Sequence, residues 1–202
     1  MLTGNHMTEQ LGGAPESYAV VVEINGYKIE PGADLSGADL SGADLTRANP
    51  IDREEVGELS RAELDEYYPP RPVNLSSANL FRANLSRANL HGANLEGAQL
   101  AYADLSDAFL VEVNLFRANL FGANLSRANL FGANLSGANL GDVRLRGANL
   151  FGANLSNANM ENADLHYADL ENANLTGANL DWVDLSASTL SDTVMEDGTI
   201  HD

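Results

Sequence analysis

No cysteine occurs in the 202 residues, which excludes a disulfide framework, a thiolate metal site and a thiol nucleophile, and fits a reducing compartment. Lysine is almost absent as well: Lys28 stands beside ten arginines, 11 basic residues against 29 acidic ones. A nucleic-acid binder needs a basic stripe along its working face, so no direct DNA or RNA binding is expected. Long apolar runs are missing too, none approaching the roughly 18 residues of a membrane span. The opening stretch, residues 1–10, has neither a basic n-region nor an apolar h-region. The expectation is a soluble, cytoplasmic protein with no membrane partner. Aromatic residues make up only 6% of the chain, too few for an ordinary globular core of this size.

What is present is a net charge of −18 and a repeat. The charge is uneven: residues 1–72 hold 14 acids and 5 bases, residues 73–159 hold 5 and 6, and residues 160–202 hold 10 acids and no Lys or Arg. The acidity therefore sits at the two ends. The repeat begins at Ala33 with Ala-Asp-Leu-Ser-Gly, three times over, and resumes after an interruption with Leu (once Met160) at every fifth position from Leu75 to Leu190, 24 pentads in one register. Two residues before each stands a small residue, nearly always Ala, with Val73, Val113, Val143, Val183 and Ser188 as replacements. On an α-helix a step of five turns each Leu by about 140°, scattering the leucines around the cylinder. In an extended segment Ala-Asn-Leu points in, out and in, and the next two residues make a corner.

The A(N/D)LxG repeat resembles the pentapeptide-repeat family. That resemblance implies an all-β fold, a right-handed quadrilateral β-helix with four pentads per coil. Residues 73–192 then make six coils spaced by about 4.8 Å, preceded by a first coil over 33–49. Positions twenty apart stack, giving a ladder from Asn74 through Asn94, Asn114, Asn134 and Asn154 to Asn174, and an alternating charge column of Arg87, Asp107 and Arg127. Met195 and Ile200 continue the spacing in degraded form, and residues 193–202 are read as a C-terminal cap or tail. The ending Met195 to Asp202 resembles that of cyanobacterial members, which implies a cyanobacterial source.

Outside the repeat, Asn25-Gly26 between two β-prone runs predicts a hairpin over 18–32 that caps the N-terminal end. Residues 1–17 read as disordered. Residues 50–72 interrupt the repeat, and two readings stay open. Asp52 with Glu55, and Ser60 with Glu63, resemble capping boxes ahead of Pro69-Pro70, which favours a short helical excursion. The pairs Gly57/Leu59 and Ala62/Leu64 instead allow two degenerate pentads.

No catalytic residue, cofactor or metal site is expected. His6, His91, His166 and His201 do not recur at ligand spacing, and a convex rod offers no cleft to shift a carboxylate pKa. The column arithmetic does place His166 near Asp164 and Asp184. The outward phenylalanines carry more information, because folding does not need Phe after Leu. One column reads His91, Val111, Phe131 and Phe151 with Phe109 beside it; a second carries Phe81 and Phe121 next to Tyr102. Exposed aromatic patches mark protein–protein contacts, and stacked aromatics also stabilise β ladders.

Three functions follow as expectations. The first is a non-enzymatic interaction scaffold using Phe109, Val111, Phe131 and Phe151, with Phe81 and Phe121, to hold a protein partner of unknown identity. The second, implied by the resemblance, is an acidic DNA mimic that binds a type II topoisomerase such as gyrase. The third is a structural spacer acting through its acidic ends, including homodimerisation through an end of the solenoid.

Overall fold

The computed structural model describes residues 22–30, 32–43, 45 and 72–201. Residues 1–17, expected to be disordered, and the 50–72 interruption, Pro72 apart, lie outside them. Over 72–192 the chain winds as a β-helix whose coils touch through single-residue parallel bridges twenty residues apart, from Asn74↔Asn94 to Asn174↔Val194. Twenty residues are four pentads, so each coil has four faces. We number the faces by their middle residues: Asn74 begins the first, Asn79 the second, Asn84 the third and Asn89 the fourth.

The pentad satisfies its own backbone. In Val113–Arg117, Asn114 N–H donates back to Ala93 O at 2.9 Å, and Leu115 and Arg117 donate forward to Asn134 O at 2.7 Å and Ser136 O at 3.1 Å. Val113 N–H closes the preceding corner on Leu110 O at 3.2 Å. The fifth donor, Phe116 N–H, is taken by the side-chain Oδ1 of Asn114 at 3.2 Å. Asn114 is therefore an Asx turn that completes the hydrogen bonding at a corner where no carbonyl reaches. Its Nδ2 also donates to Asn94 Oδ1 at 3.0 Å, and its Oδ1 accepts from Asn134 Nδ2 at 3.1 Å. Of the ladder expected along the first face, the side-chain amides bond from Asn74 through Asn94 and Asn114 to Asn134, while Asn154 and Asn174 continue the stack by backbone bridges alone.

The last corner residue is left-handed in nearly every pentad, at glycines such as Gly132 (φ 62°) and at non-glycine residues such as Glu112 (φ 55°) and Trp182 (φ 63°). The interior is filled by the two inward positions. Leu75 to Leu175 and their paired Ala or Val residues form one continuous buried column, with Met160 inside it.

The first coil stacks on the second with a different separation. Asp34 bridges Asn79 and Asp39 bridges Asn84, 45 residues apart instead of 20. The chain between these coils is 25 residues longer than a coil step (45 − 20), which is five pentads, so the Leu register survives. Ahead of this coil, β1 (Val22–Ile24) pairs antiparallel with β2 (Tyr27–Ile29) through Asn25-Gly26, where φ is 52° and 82°. Positive φ at both positions is what a two-residue hairpin turn demands. Ile29 enters the core, and Asn25 Nδ2 donates to Asp39 O at 3.3 Å.

At the other end the coil loosens. Tyr167 N–H bonds Ala187 O at 3.2 Å, twenty residues ahead, where Gly147 reaches His166 O, nineteen ahead. The slip coincides with Ser188 in place of Ala, whose hydroxyl donates to Leu165 O at 2.9 Å; Thr193, at the next inward position, donates to Leu170 O at 2.7 Å. β3 (Thr193–Val194) then pairs antiparallel with β4 (Ile200–His201). Met195 still packs against the core, but Ile200 does not continue the repeat: it is exposed on β4, because the chain has reversed direction.

Candidate functional site

The corner between the fourth and first faces stacks His91, Val111, Phe131 and Phe151, one per coil. The Phe131 and Phe151 rings are parallel, with centroids 5.4 Å apart and planes 4° apart. Phe109, at the middle of the fourth face, lies 6.3 Å from the His91 ring. His91 is held in turn by Nδ1 at 3.1 Å from Val111 O. Phe109 and Phe131 remain 44% and 43% exposed, so neighbouring coils cover only part of each ring. The structure thus brings Phe109, Val111, Phe131 and Phe151 onto one surface, here called the Phe131 corner.

Phe81 and Phe121 are not part of it. Ten residues, half a coil, separate Phe81 from His91, so they occupy the diagonally opposite corner. There Tyr102 sits between them edge-on, 6.0 Å from Phe81 at 88° and 5.7 Å from Phe121 at 86°. The glycines beneath make room. A Cβ on Gly122 would lie 2.7 Å from Tyr102 Cε1, and one on Gly141 3.1 Å from Phe121 Cδ2.

Phe109 departs from the pentad in a telling way. Its position on the neighbouring coils is Asn89 and Asn129, whose Oδ1 atoms accept from His91 N–H at 3.3 Å and Phe131 N–H at 3.2 Å. A phenyl ring has no acceptor to offer Val111 N–H. The chain gives up a turn-closing hydrogen bond here and exposes an apolar ring instead.

Charge is distributed by face. Of the six arginines in 73–192, Arg87, Arg127 and Arg146 follow the third face and Arg144 lies on it; Arg82 and Arg117 occupy other corners. The fourth face, the Phe131 corner and the first face carry none. The near-neutral middle of the chain is therefore neutral only as a sum. Arg127 donates from Nε and Nη2 to Asp107, both at 2.7 Å, and this hydrogen bond above all holds the Asp107 carboxyl below the usual range against slight burial. The pair is exposed and contributes little to stability. Arg82 and Arg117 lie over Phe81 and Phe116 at 5.0 and 4.9 Å.

His166 takes the expected place, with Nδ1 2.8 Å from Asp164 and Nε2 3.8 Å from Asp184. Partial burial tends to raise Asp164, but hydrogen bonds from the His166 N–H and ring, with the charge of Arg146, hold its carboxyl below the usual range. Among the described residues no group of three or more acidic and histidine side chains is placed to hold a metal ion. Among the same residues there is no helix long and apolar enough to cross a membrane. Sequence reasoning passed over Trp182, 84% exposed at a left-handed corner. The signal was available: it is the only tryptophan, at a position held most often by Gly.

A family described as Pentapeptide repeats matches in eight copies, over residues 32–49, 78–117, 114–152, 128–166 and 153–192. No curated protein is detectably similar to the chain. Among solved structures, the chain is similar to HetL, a pentapeptide repeat protein involved in heterocyst differentiation regulation from the cyanobacterium Nostoc sp. strain PCC 7120, with 30% identity over 99% of each chain and a TM-score of 0.28. It is similar to a pentapeptide repeat protein of the Arabidopsis thaliana thylakoid lumen, with 28% identity over 82% of this chain and 78% of that one and a TM-score of 0.43. A third likeness is to the plasmid-mediated fluoroquinolone resistance protein QnrB1, at 23% identity over 82% and 76% with a TM-score of 0.47.

Proposed function

Because the chain belongs to the pentapeptide-repeat family, we propose that it is a non-enzymatic protein-interaction scaffold whose working surface is the Phe131 corner together with Phe109. The exchange of a turn-closing Asn for Phe109 carries this reading. Stability alone favours Asn there, since a buried or half-buried N–H without a partner costs about 1–3 kcal/mol. The parallel Phe131 and Phe151 rings add a half-exposed apolar platform, flanked by the Glu112, Gly132 and Gly152 corners and clear of arginine. Aromatic anchors on a surface free of arginine and lysine, with Glu112 and Glu171 at its margins, suit a protein partner. The Val22–Ile29 hairpin, with Ile29 in the core, would close the N-terminal end of the rod.

Phe109→Asn separates a binding role from a structural one. The substitution raises the unfolding free energy by about 1 kcal/mol, by supplying Val111 N–H with an acceptor. In the same protein, the partners retained by immobilised wild-type chain are lost, as they are with Phe131→Ser/Phe151→Ser. A Phe109→Asn protein that is less stable, or that keeps the same partners, removes this reading.

The charge of residues 160–202 favours a second reading, an acidic DNA mimic acting on a type II topoisomerase. Asp181, Asp184 and Asp192 are exposed there with no Lys or Arg near in sequence. The arginines on and beside the third face interrupt any acidic side that would run the full length of the rod, and the reading ranks second for that reason. It requires salt-sensitive inhibition of gyrase supercoiling at near-stoichiometric protein; no inhibition at large excess eliminates it.

A further inference from the structure

The two aromatic corners have the same layout. On one, Phe81, Tyr102 and Phe121 occupy three successive coils, and Asp142, Glu161 and Asp181 follow on the next three. On the other, His91, Val111, Phe131 and Phe151 are followed by Glu171 and Asp192, with Asp169 beside them. Asp142, Glu161, Asp181 and Asp192 are all exposed. Neither remaining corner resembles these: one holds Phe116 alone among aromatics, under Arg117, and the other is the arginine corner. Half a turn about the rod axis sets Phe81 opposite His91, Phe121 opposite Phe131 and Glu161 opposite Glu171; the second strip runs one ring further, to Phe151 opposite Asp142, and carries Glu112 in its aromatic half where the first carries Arg82 over Phe81.

We propose that these are two similarly ordered docking strips, each taking an extended peptide segment that is apolar in one half and basic in the other, so that one rod holds two such segments on opposite sides. The inference rests on the reading of the Phe131 corner as a docking surface and goes beyond it in stoichiometry and partner chemistry. Ring centroids on successive coils, 6.0 and 5.7 Å apart at the Tyr102 corner and 5.4 Å apart at Phe131 and Phe151, offer a stepped apolar surface near the about 6.6 Å between alternate residues of an extended strand. The carboxylates beyond select lysine or arginine over acidic residues in the second half. From Phe81 to Asp181 is five coil steps, about 24 Å, the reach of about seven extended residues. A globular partner touching one corner cannot reach the other, since the rod lies between them.

The probe is a synthetic peptide of about ten residues, Leu alternating with Thr in its first half and Lys alternating with Thr in its second, titrated into the full chain by calorimetry. The expected result is two peptides per protein, with both affinities weakened by about tenfold or more between 0.05 and 0.5 M salt, as screening of exposed charges requires. Phe131→Ser/Phe151→Ser leaves one site, Tyr102→Ser/Phe121→Ser leaves the other, and the fourfold variant leaves none. Because ring removal can loosen the coils, Asp142→Asn/Glu161→Gln/Asp181→Asn keeps every ring and weakens one of the two sites by about tenfold. A single peptide per protein, lost only through Phe131 and Phe151, overturns the proposal and leaves the scaffold reading standing. No binding at all, or two sites indifferent to all of these variants, also overturns it, and partner retention by the Phe109→Asn protein then decides the scaffold reading on its own.

Discussion

Leu130→Ala lowers the unfolding free energy by about 3–4 kcal/mol, the upper part of the range for a buried leucine that leaves a cavity its surroundings cannot fill. Leu130 is fully buried, and its backbone is pinned on both sides, N–H to Asn149 O at 2.7 Å and C=O from Ala133 N–H at 3.0 Å. Leu110 and Leu150 lie one coil to either side. The coil spacing is set by these hydrogen bonds, so the coils cannot slide together to close the void. Leu190→Ala should lose only about 1 kcal/mol, because Leu190 in the last coil is only partly buried and already reaches solvent. Urea unfolding of the two variants gives the comparison. Amide exchange should show the Leu130→Ala loss concentrated in the adjoining coils, as expected where each repeat touches only its neighbours. Equal losses at both positions would refute the account of a closed middle and an open last coil.

Asn114→Ala is expected to lower stability by about 2–3 kcal/mol although the residue lies on the outside of the rod. Three groups lose partners at once: Phe116 N–H, Asn134 Nδ2 and Asn94 Oδ1. Asn114→Asp falls between wild type and Ala. Its carboxylate still accepts from the turn N–H and from the next amide, as Asp104 does from Ser106 N–H and Asn124 Nδ2, both at 3.0 Å. It cannot donate to Asn94. The order Asn, Asp, Ala in thermal unfolding, with faster amide exchange at Phe116 in the Ala variant alone, is the result to look for. If Ala matched Asn, the turn role assigned to this side chain would be wrong.

The same side chain shows what could and could not be read beforehand. The leucine period forces extended sides with corners, because no helix gathers residues five apart, and with the family resemblance the stacking interval of twenty follows. Every Leu and Ala of the continuous core from Val73 to Ala178 conforms, and Ala101, buried at a corner, falls outside the pattern. The amide ladder was legible as a column. Its second task was not, because pattern alone does not reveal which backbone N–H is left over at a corner; that requires the carbonyl directions of the coil above. Ile200 kept the spacing in sequence but not the direction in space: after the slip at Ser188 the chain reverses at Gly198, and periodicity carries no sign of direction. Of the surface, the column holding Phe131 and Phe151 and its separation from Phe81 and Phe121 follow from counting. The weight given to Phe109 does not, since it depends on the hydrogen bond that Asn makes on the neighbouring coils.

The interval of 20 between stacked residues makes the surface sensitive to chain length. Deleting one pentad between Phe109 and Phe131 would keep every remaining leucine in register, yet it would turn all downstream residues by a quarter of the rod and carry Phe131 and Phe151 onto the corner that now holds Arg87, Arg127 and Arg146. Deleting four pentads would restore the alignment with one coil fewer. The 25-residue excess ahead of Pro72 lies outside this constraint, because it returns the chain to the corner it left. Lineages of this protein can therefore vary in length between residues 45 and 72, while within the rod only whole-coil gains and losses keep its two aromatic corners aligned.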